Sequence, residues 1–488
     1  MAISFNSIPN TKVPGVYVEF DNTQAMQGAT LLEYTALIVG QKNGGSGKVL
    51  KPYAVTSEDQ ARELFGPGSM AHLMVAAFRK NNDYTNLRVI AVEDDPAGTA
   101  ASGVITFAGS ATSAAPLMLY VAGKAVRCAV TVGDEAATVA IAMAAAVNAV
   151  ADLPVQAVAE DTTVTLTAKN KGLVGNSIDL RFSYYGEEEP RGLAISVTPM
   201  SGGAGAPDLS ELITAMGDSW YHIIAFPWTD RASLRALEEE LVDRWGPLRH
   251  IDGHAFTGIG GTFAEVQDFG SGQDAGNYAH ISIVEAVNSP DWPCVRASAV
   301  AGVVAYYGNI DPARPFQTLT LAGCLAPEEG QRLTYQEQNL LLNAGIATTA
   351  VDAGGTVSVQ RLVTNYLTTG TGATDTSYQD VNTILTLSYL RYDFRARILR
   401  KYPRHKLADD SAYIPAGQAI MTPKLGRAEA VAAFMDWQEL GLVENLDDFK
   451  AKLICERNAA DPNRLDWLLP PDLVNQFRIG AAQIQFRL

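Results

Sequence analysis

The chain begins and ends in alternating apolar segments with no nearby segment to pair with, and this constrains its architecture more than any other feature. Near the start Val16, Val18 and Phe20 alternate with Tyr17 and Glu19 behind the turn Val13-Pro14-Gly15; at the end Ile484, Phe486 and Leu488 alternate with Gln485 and Arg487. A terminal strand either folds back into its own sheet or completes the edge of a neighbour's, where main-chain hydrogen bonds supply affinity and alternate side chains supply register. The second route links copies of a chain into a polymer. Phe477 and Ile479 have the opposite parity to the last three apolar residues, so a bulge or switch is expected at Gly480-Ala481-Ala482.

Between these ends, 488 residues with a formal charge of -16 argue against a general nucleic-acid binder or a protein that adheres to anionic lipid. The length fits two to four domains, and 47% apolar residues supply sizeable cores. Cys128, Cys294, Cys324 and Cys455 are widely spaced, so neither a zinc site nor a disulfide framework is expected, and a reducing cytoplasm is the default. No secretion leader and no apolar run of about 18 residues is visible, so no membrane insertion is expected.

The pattern along the chain is α/β. Residues 36–40 and 86–92 read as strands; Ser57, with Gln60 at the capping-box position, and Ser69 open helices to Phe65 and Lys80. The alternation breaks at Asp94-Asp95-Pro96-Ala97-Gly98 and resumes at Pro207, so residues 98–205 read as an inserted α+β module with its own core: a hairpin, an Ala-rich helix over 134–151 and strands near Val155 and Val164. The core then continues with strands over 222–227, 253–259, 279–286, 346–351 and 357–363. Helices are expected over 230–245, from Ser289-Pro290 to Tyr307, and from the Thr334/Glu337 capping box to Gly345. The resulting division is an arm and linker (1–30), a core (31–97 with 206–370), the module (98–205), a C-terminal α+β domain (371–475) and a C-terminal arm (476–488). The C-terminal domain opens with a long helix that turns Ile384, Leu387, Phe394 and Ile398 inward and stops before Pro403.

Three segments resemble reactive sites and fail on inspection. Lys42-Asn43-Gly44-Gly45-Ser46-Gly47-Lys48-Val49 has Lys where a phosphate-binding loop needs its first Gly, and Val where it needs Ser or Thr. Ser69 in Gly68-Ser69-Met70-Ala71 resembles a subtilisin nucleophile but precedes all six histidines, and a helix cap explains it more simply. His250 and His254 have i, i+4 spacing but enclose Gly253 and lack a third ligand. No catalytic, cofactor or metal site is therefore expected. The run Arg391, Arg395, Arg397, Arg400, Lys401, Arg404 and Lys406 leaves three readings open: a complementary protein surface, nucleic acid, or a basic helix end suited to the macrodipole.

Longer segments resemble the tail sheath proteins of contractile phages of the Mu-like type. They are residues 13–19, Phe65-Gly66-Pro67-Gly68-Ser69-Met70, Leu390-Arg391-Tyr392-Asp393-Phe394-Arg395, Lys401-Tyr402-Pro403-Arg404-His405-Lys406-Leu407, Glu456-Arg457-Asn458 and Asp461-Pro462-Asn463-Arg464-Leu465-Asp466. The resemblance implies a non-catalytic, subtilisin-like α/β core with an outward-facing inserted module. It also implies assembly in the host cytoplasm as stacked hexameric rings around a tail tube, bounded by baseplate and tail terminator proteins, with contraction driving the tube through a bacterial envelope. By position and pattern it makes Val16, Tyr17, Val18 and Phe20, and Phe477, Ile479, Ile484, Phe486 and Leu488, inter-subunit strand arms. An enzyme, or the sheath of a phage-derived bacteriocin, are the alternative readings.

Overall fold

A computed structural model describes residues 32–487 apart from 273, 274, 414 and 416. The N-terminal arm, with Val16, Tyr17, Val18 and Phe20, and the linker over 21–28 lie outside the described residues, as does Leu488.

Thr35–Gln41 (β1), Pro52–Ala54 (β2) and Asn86–Val92 (β3) open a sheet that the chain then leaves. Seven strands follow in the inserted segment: Ala100–Gly109 (β4), Ala115–Val121 (β5), Lys124–Val130 (β6), Val155–Glu160 (β7), Thr163–Lys171 (β8), Leu180–Phe182 (β9) and Leu193–Ser201 (β10). The first sheet resumes with Ile223–Ala225 (β11), His254–Gly261 (β12), Ile281–Val287 (β13), Ile346–Val351 (β14) and Val357–Arg361 (β15). Its order is β15-β14-β13-β12-β11-β1-β3-β2, parallel from β14 to β3 and closed at each edge by an antiparallel strand. β13 is buried at every position, as expected of a parallel strand covered on both faces.

Several of the helices form where an apolar stripe meets a capping residue. Ser57 accepts from the Gln60 N–H to start Glu58–Phe65 (α1), and Ser69 accepts from the His72 N–H to start Met70–Asn81 (α2). The Gln60 side chain does not complete a capping box; its Oε1 accepts from the Thr56 N–H instead, at 2.8 Å. Ala136–Ala149 (α3) lies in the inserted segment, Leu209–Met216 (α4) follows it, and Arg231–Trp245 (α5), whose spacing puts Leu234, Leu237, Leu241 and Trp245 on one stripe, buries the three leucines and leaves Trp245 half-buried. Phe263–Ser271 (α6) precedes Pro293–Ile310 (α7), which starts three residues beyond Pro290. Pro293 takes the first-turn position, and the preceding Trp292 donates its indole N–H to Val174 O at 2.9 Å, a tertiary contact that fixes the start. In Tyr335–Asn343 (α8) the Thr334/Glu337 capping box forms in both directions.

The inserted segment folds as two sheets, β10-β4-β8-β7 and β6-β5-β9, with α3 packed beside them. The expectation that it has an independent core is corrected: Leu117, Val139, Met143, Val155 and Leu166 belong to one continuous cluster with Phe65, Met74, Phe78, Val300 and Val304 of the main body. Polar contacts reinforce the seam, among them Arg62 to Asp152 at 2.5 Å and Tyr184 OH to Ala326 O at 2.6 Å. The strands are joined to the main body by a shared hydrophobic interior, so excising residues 98–205 would strip cover from α2 and α7.

The C-terminal part starts with Val381–Lys401 (α9), which buries Ile384, Leu385 and Leu390, while Leu387, Phe394 and Ile398 are half-buried. Short pairs follow: Lys406–Leu407 (β16) with Ile420–Met421 (β17), Val443–Glu444 (β18) with Asp472–Leu473 (β21), and Ile454–Arg457 (β19) with Leu465–Leu468 (β20). Pro423–Glu439 (α10) and Leu446–Lys452 (α11) complete a second core around Phe434, Trp437 and Phe449. No described helix is long and apolar enough to cross a membrane.

Candidate assembly surfaces

The structure disposes of the three look-alike segments in physical terms. In the glycine loop the amides that would cradle phosphate are spent on α1 carbonyls: Ser46 N–H to Glu63 O at 3.0 Å and Gly47 N–H to Leu64 O at 2.8 Å. Ser69 is fully buried as a helix cap, and the His72 ring accepts from the Gly68 N–H at 3.1 Å. His254 lies within β12 and its Nε2 meets Ser282 Oγ at 2.8 Å, whereas His250 sits before the strand in a left-handed turn. Among the described residues no group of three His, Cys, Asp or Glu side chains converges as a metal site.

An open parallel sheet offers ligands a crevice at the carboxyl ends of its strands, where the strand order reverses, here between β1 and β11. The inserted segment fills the β1 side of that crevice. Gln41, the last residue of β1, donates to Lys171 O and to Asp94 Oδ1, both at 2.8 Å; Asp94 also accepts from the Lys171 N–H at 2.8 Å and from Asn170 Nδ2 at 3.1 Å. The end of β1 is thus covered by the protein's own polypeptide, while a cavity of about 660 Å³ remains beside it at the ends of β11, β12 and β13, lined by Pro227, Gly258, Gly260 and Ala286 with Val174 and Ile178 of the inserted segment.

Three members of the basic run, Arg391, Arg397 and Lys401, are paired with carboxylates within the chain. Arg391 pairs with buried Asp252, donates to Trp245 O at 2.6 Å and lies 4.5 Å over the Trp245 ring, tying α9 to the end of α5 and the loop before β12. Arg397 is shared by Glu429 and Asp436, and Lys401 reaches Glu429 at 2.6 Å, joining α9 to α10. Arg395 and Arg400 are exposed at the residue level. Asp252 and Glu429, the buried acids that claim Arg391, Arg397 and Lys401, are what sequence reasoning missed; charge counting finds a basic run but not which distant carboxylates face it.

The same junction concentrates buried imidazoles. His222 is stacked between Tyr34 and Trp220, with ring centroids 4.6 Å apart on each side, and His280 lies 5.1 Å from Trp245. Burial pushes His222 and His254 down to about 3 and His280 to about 4, from an ordinary value of 6.5. These depressed values mean that the unfolded chain binds protons first on acidification, so stability present above pH 6.5 is lost as pH falls toward 3. Each histidine contributes a slope of about 1.4 kcal/mol per pH unit. Burial raises Glu238 to about 7, which acts oppositely: its contribution is present below 4.5 and lost as pH rises through 7. Three imidazoles outweigh one carboxyl, so the thermal midpoint is expected to fall steadily from pH 6.5 to 4, and less steeply in His254→Gln. A midpoint flat over that range would contradict the assignment of these groups.

The C-terminal segment is rooted and then released. Beyond β21, Val474 N–H bonds Leu442 O at 3.1 Å, Gln476 Nε2 reaches Ala313 O at 3.3 Å, and Arg478 pairs with Asp380 at 2.5 Å. The side chains of 476 and 478 grip the body while Phe477 and Ile479 are 79% and 85% exposed. Ile484 and Phe486 follow at 89% and 79% exposure, and residues 476–487 belong to no strand within the single chain. Among the described residues this segment has no strand partner inside one copy, and its apolar side chains face outward.

Comparison with known proteins adds independent findings. A family model described as the phage tail sheath protein central domain matches residues 202–365, and one described as the phage tail sheath C-terminal domain matches residues 373–487. The chain is 43% identical over 491 residues to the Mu-like prophage FluMu tail sheath protein of Haemophilus influenzae, covering 100% of both chains. Among solved structures, the sheath tail protein of Listeria innocua gives a TM-score of 0.49 at 15% identity, over 93% of this chain and 95% of that one. That of Desulfitobacterium hafniense gives 0.47 at 14% identity, over 94% and 100%.

Proposed function

The chain belongs to the phage tail sheath proteins, a structural and non-enzymatic family, and from that footing we propose that it polymerises as stacked hexameric rings around a tail tube and contracts to drive the tube through a bacterial envelope. The observation that carries this reading is the C-terminal segment, held at its root by Gln476 and Arg478 and presenting Phe477, Ile479, Ile484 and Phe486 to solvent. A strand of this kind completes the sheet of a neighbouring copy through main-chain hydrogen bonds. Val16, Tyr17, Val18 and Phe20 are the matching arm at the other end. Extended and contracted lattices of nearly rigid subunits differ in interface area, so release from one to the other does work without nucleotide.

The partners in this reading are further copies of the chain, a tail tube protein, and baseplate and tail terminator proteins, with assembly in the host cytoplasm. Arg395 is the member of the basic run best placed to meet an acidic partner, because Arg391, Arg397 and Lys401 already have carboxylates. Negative-stain imaging of the purified chain is the direct test. Hollow tubes of uniform diameter are expected; a monodisperse monomer at every concentration and salt would defeat the proposal.

A further inference from the structure

The strand β7 ends its four-stranded sheet, so among the described residues one edge has no strand beside it. The protections that a strand itself can carry at such an edge are missing. Its ladder with β8 runs over six consecutive pairs without a bulge, and the sequence VQAVAE holds no proline, no lysine and a single charge at its last position. Val158 is 68% exposed. One side chain reaches this edge: Asn148, in the last turn of α3, donates from Nδ2 to Ala157 O at 2.7 Å and accepts at Oδ1 from the Ala157 N–H at 2.9 Å. A primary amide thus sits where a neighbouring strand's residue would place its own N–H and C=O. Asn is a poor helix former, and the rest of α3 is Ala, Val, Thr, Ile and Met, so helix propensity does not account for it.

We propose that β7 is a latent strand-pairing edge whose fitting partner is the same edge of a second copy of this chain, and that Asn148 occupies the centre of that edge and keeps it closed. In an antiparallel ladder the groups directed to one side alternate, so those facing outward with Ala157 belong to Val155 and Ala159. Two copies paired antiparallel about Ala157 set that residue opposite itself, Val155 opposite Ala159 and Gln156 opposite Val158, and no like charges meet. The hydrogen-bonded pair at the centre of this arrangement needs the N–H and C=O that Asn148 takes up. Removing the amide exposes a self-complementary edge.

The test uses the full-length chain carrying Gln156→Cys and Val158→Cys, which face each other across the two copies in a non-hydrogen-bonded pair close enough for a disulfide. Asn148→Ala is introduced into this background, and Asn148→Thr, too short to bridge both groups, serves should the alanine variant not be recovered. Under a mild oxidant, covalent dimer on a non-reducing gel is expected to rise on the order of tenfold over the chain that retains Asn148. Dimer no greater than in that chain, for both variants, overturns the proposal. Adding Ala159→Pro removes an outward N–H and leaves the β8 ladder intact, so crosslinking should return to the starting level. Crosslinking that persists after Ala159→Pro would place the contact elsewhere and also overturn it.

Discussion

A chain ending at Arg478 is expected to fold as the parent does and to form no tubes. The truncation keeps Gln476 on Ala313 and Arg478 on Asp380, so the C-terminal core around Phe434, Trp437 and Phe449 is untouched. What it removes is Ile479, Ile484 and Phe486, exposed side chains that contribute nothing to the core of a single copy. Burying three such side chains in a neighbour is worth several kcal/mol, at about 1.5–3 kcal/mol each, before the main-chain ladder is counted. Circular dichroism and the thermal midpoint should match the parent within a degree or two, while negative-stain grids show no tubes at concentrations where the parent assembles. Tubes of parental length from the shortened chain would show that the segment does not join copies. Loss of fold would show instead that it belongs to the subunit.

The largest effect on stability is expected at Arg296, buried in α7. Its guanidinium donates to Asp291 at 2.9 Å, Ser289 Oγ at 2.6 Å and Leu325 O at 2.7 Å, and lies 4.0 Å from Glu285. Asp291 in turn accepts from the Leu325 N–H at 3.0 Å, so the network closes the loop before α7 against the segment around Leu325. Arg296→Met fits the volume but leaves a buried carboxylate without its cation, which costs about 3–5 kcal/mol. Urea unfolding followed by tryptophan fluorescence measures this. A midpoint unchanged from the parent would mean that water or another cation satisfies Asp291.

Much of the local structure was legible because it depends on neighbours in sequence. Ser69 and Asp230 announce helix starts, and Leu234, Leu237 and Leu241 announce which face is buried, since caps and stripes act within a few residues. Long-range pairing was not legible. Arg391 finds Asp252 across 139 residues and Arg397 finds Asp436 across 39, so which members of the basic run have carboxylates cannot be read from their spacing. The helix start at Pro293 instead of Pro290 has the same origin: both prolines suit a first turn, and the Trp292 contact with Val174 decides between them. The interior shared between the inserted strands and α2 was hidden because Ala and Val at alternating positions fit a separate core as well as a joint one.

The root of the C-terminal segment also determines where a mechanical load would enter the subunit. Asp380 stands at the start of α9, and besides Arg478 it holds Arg361 at the end of β15, at 3.2 Å. Tension along the tail therefore reaches this carboxylate before it reaches the two-residue ladder of β18 with β21, which would otherwise be peeled open one bond at a time. From Asp380 the pull divides between the long helix and the edge of the eight-stranded sheet. The tail is thus moored at one carboxylate to both the long helix and the sheet edge, so a pull on it would be borne by the two together.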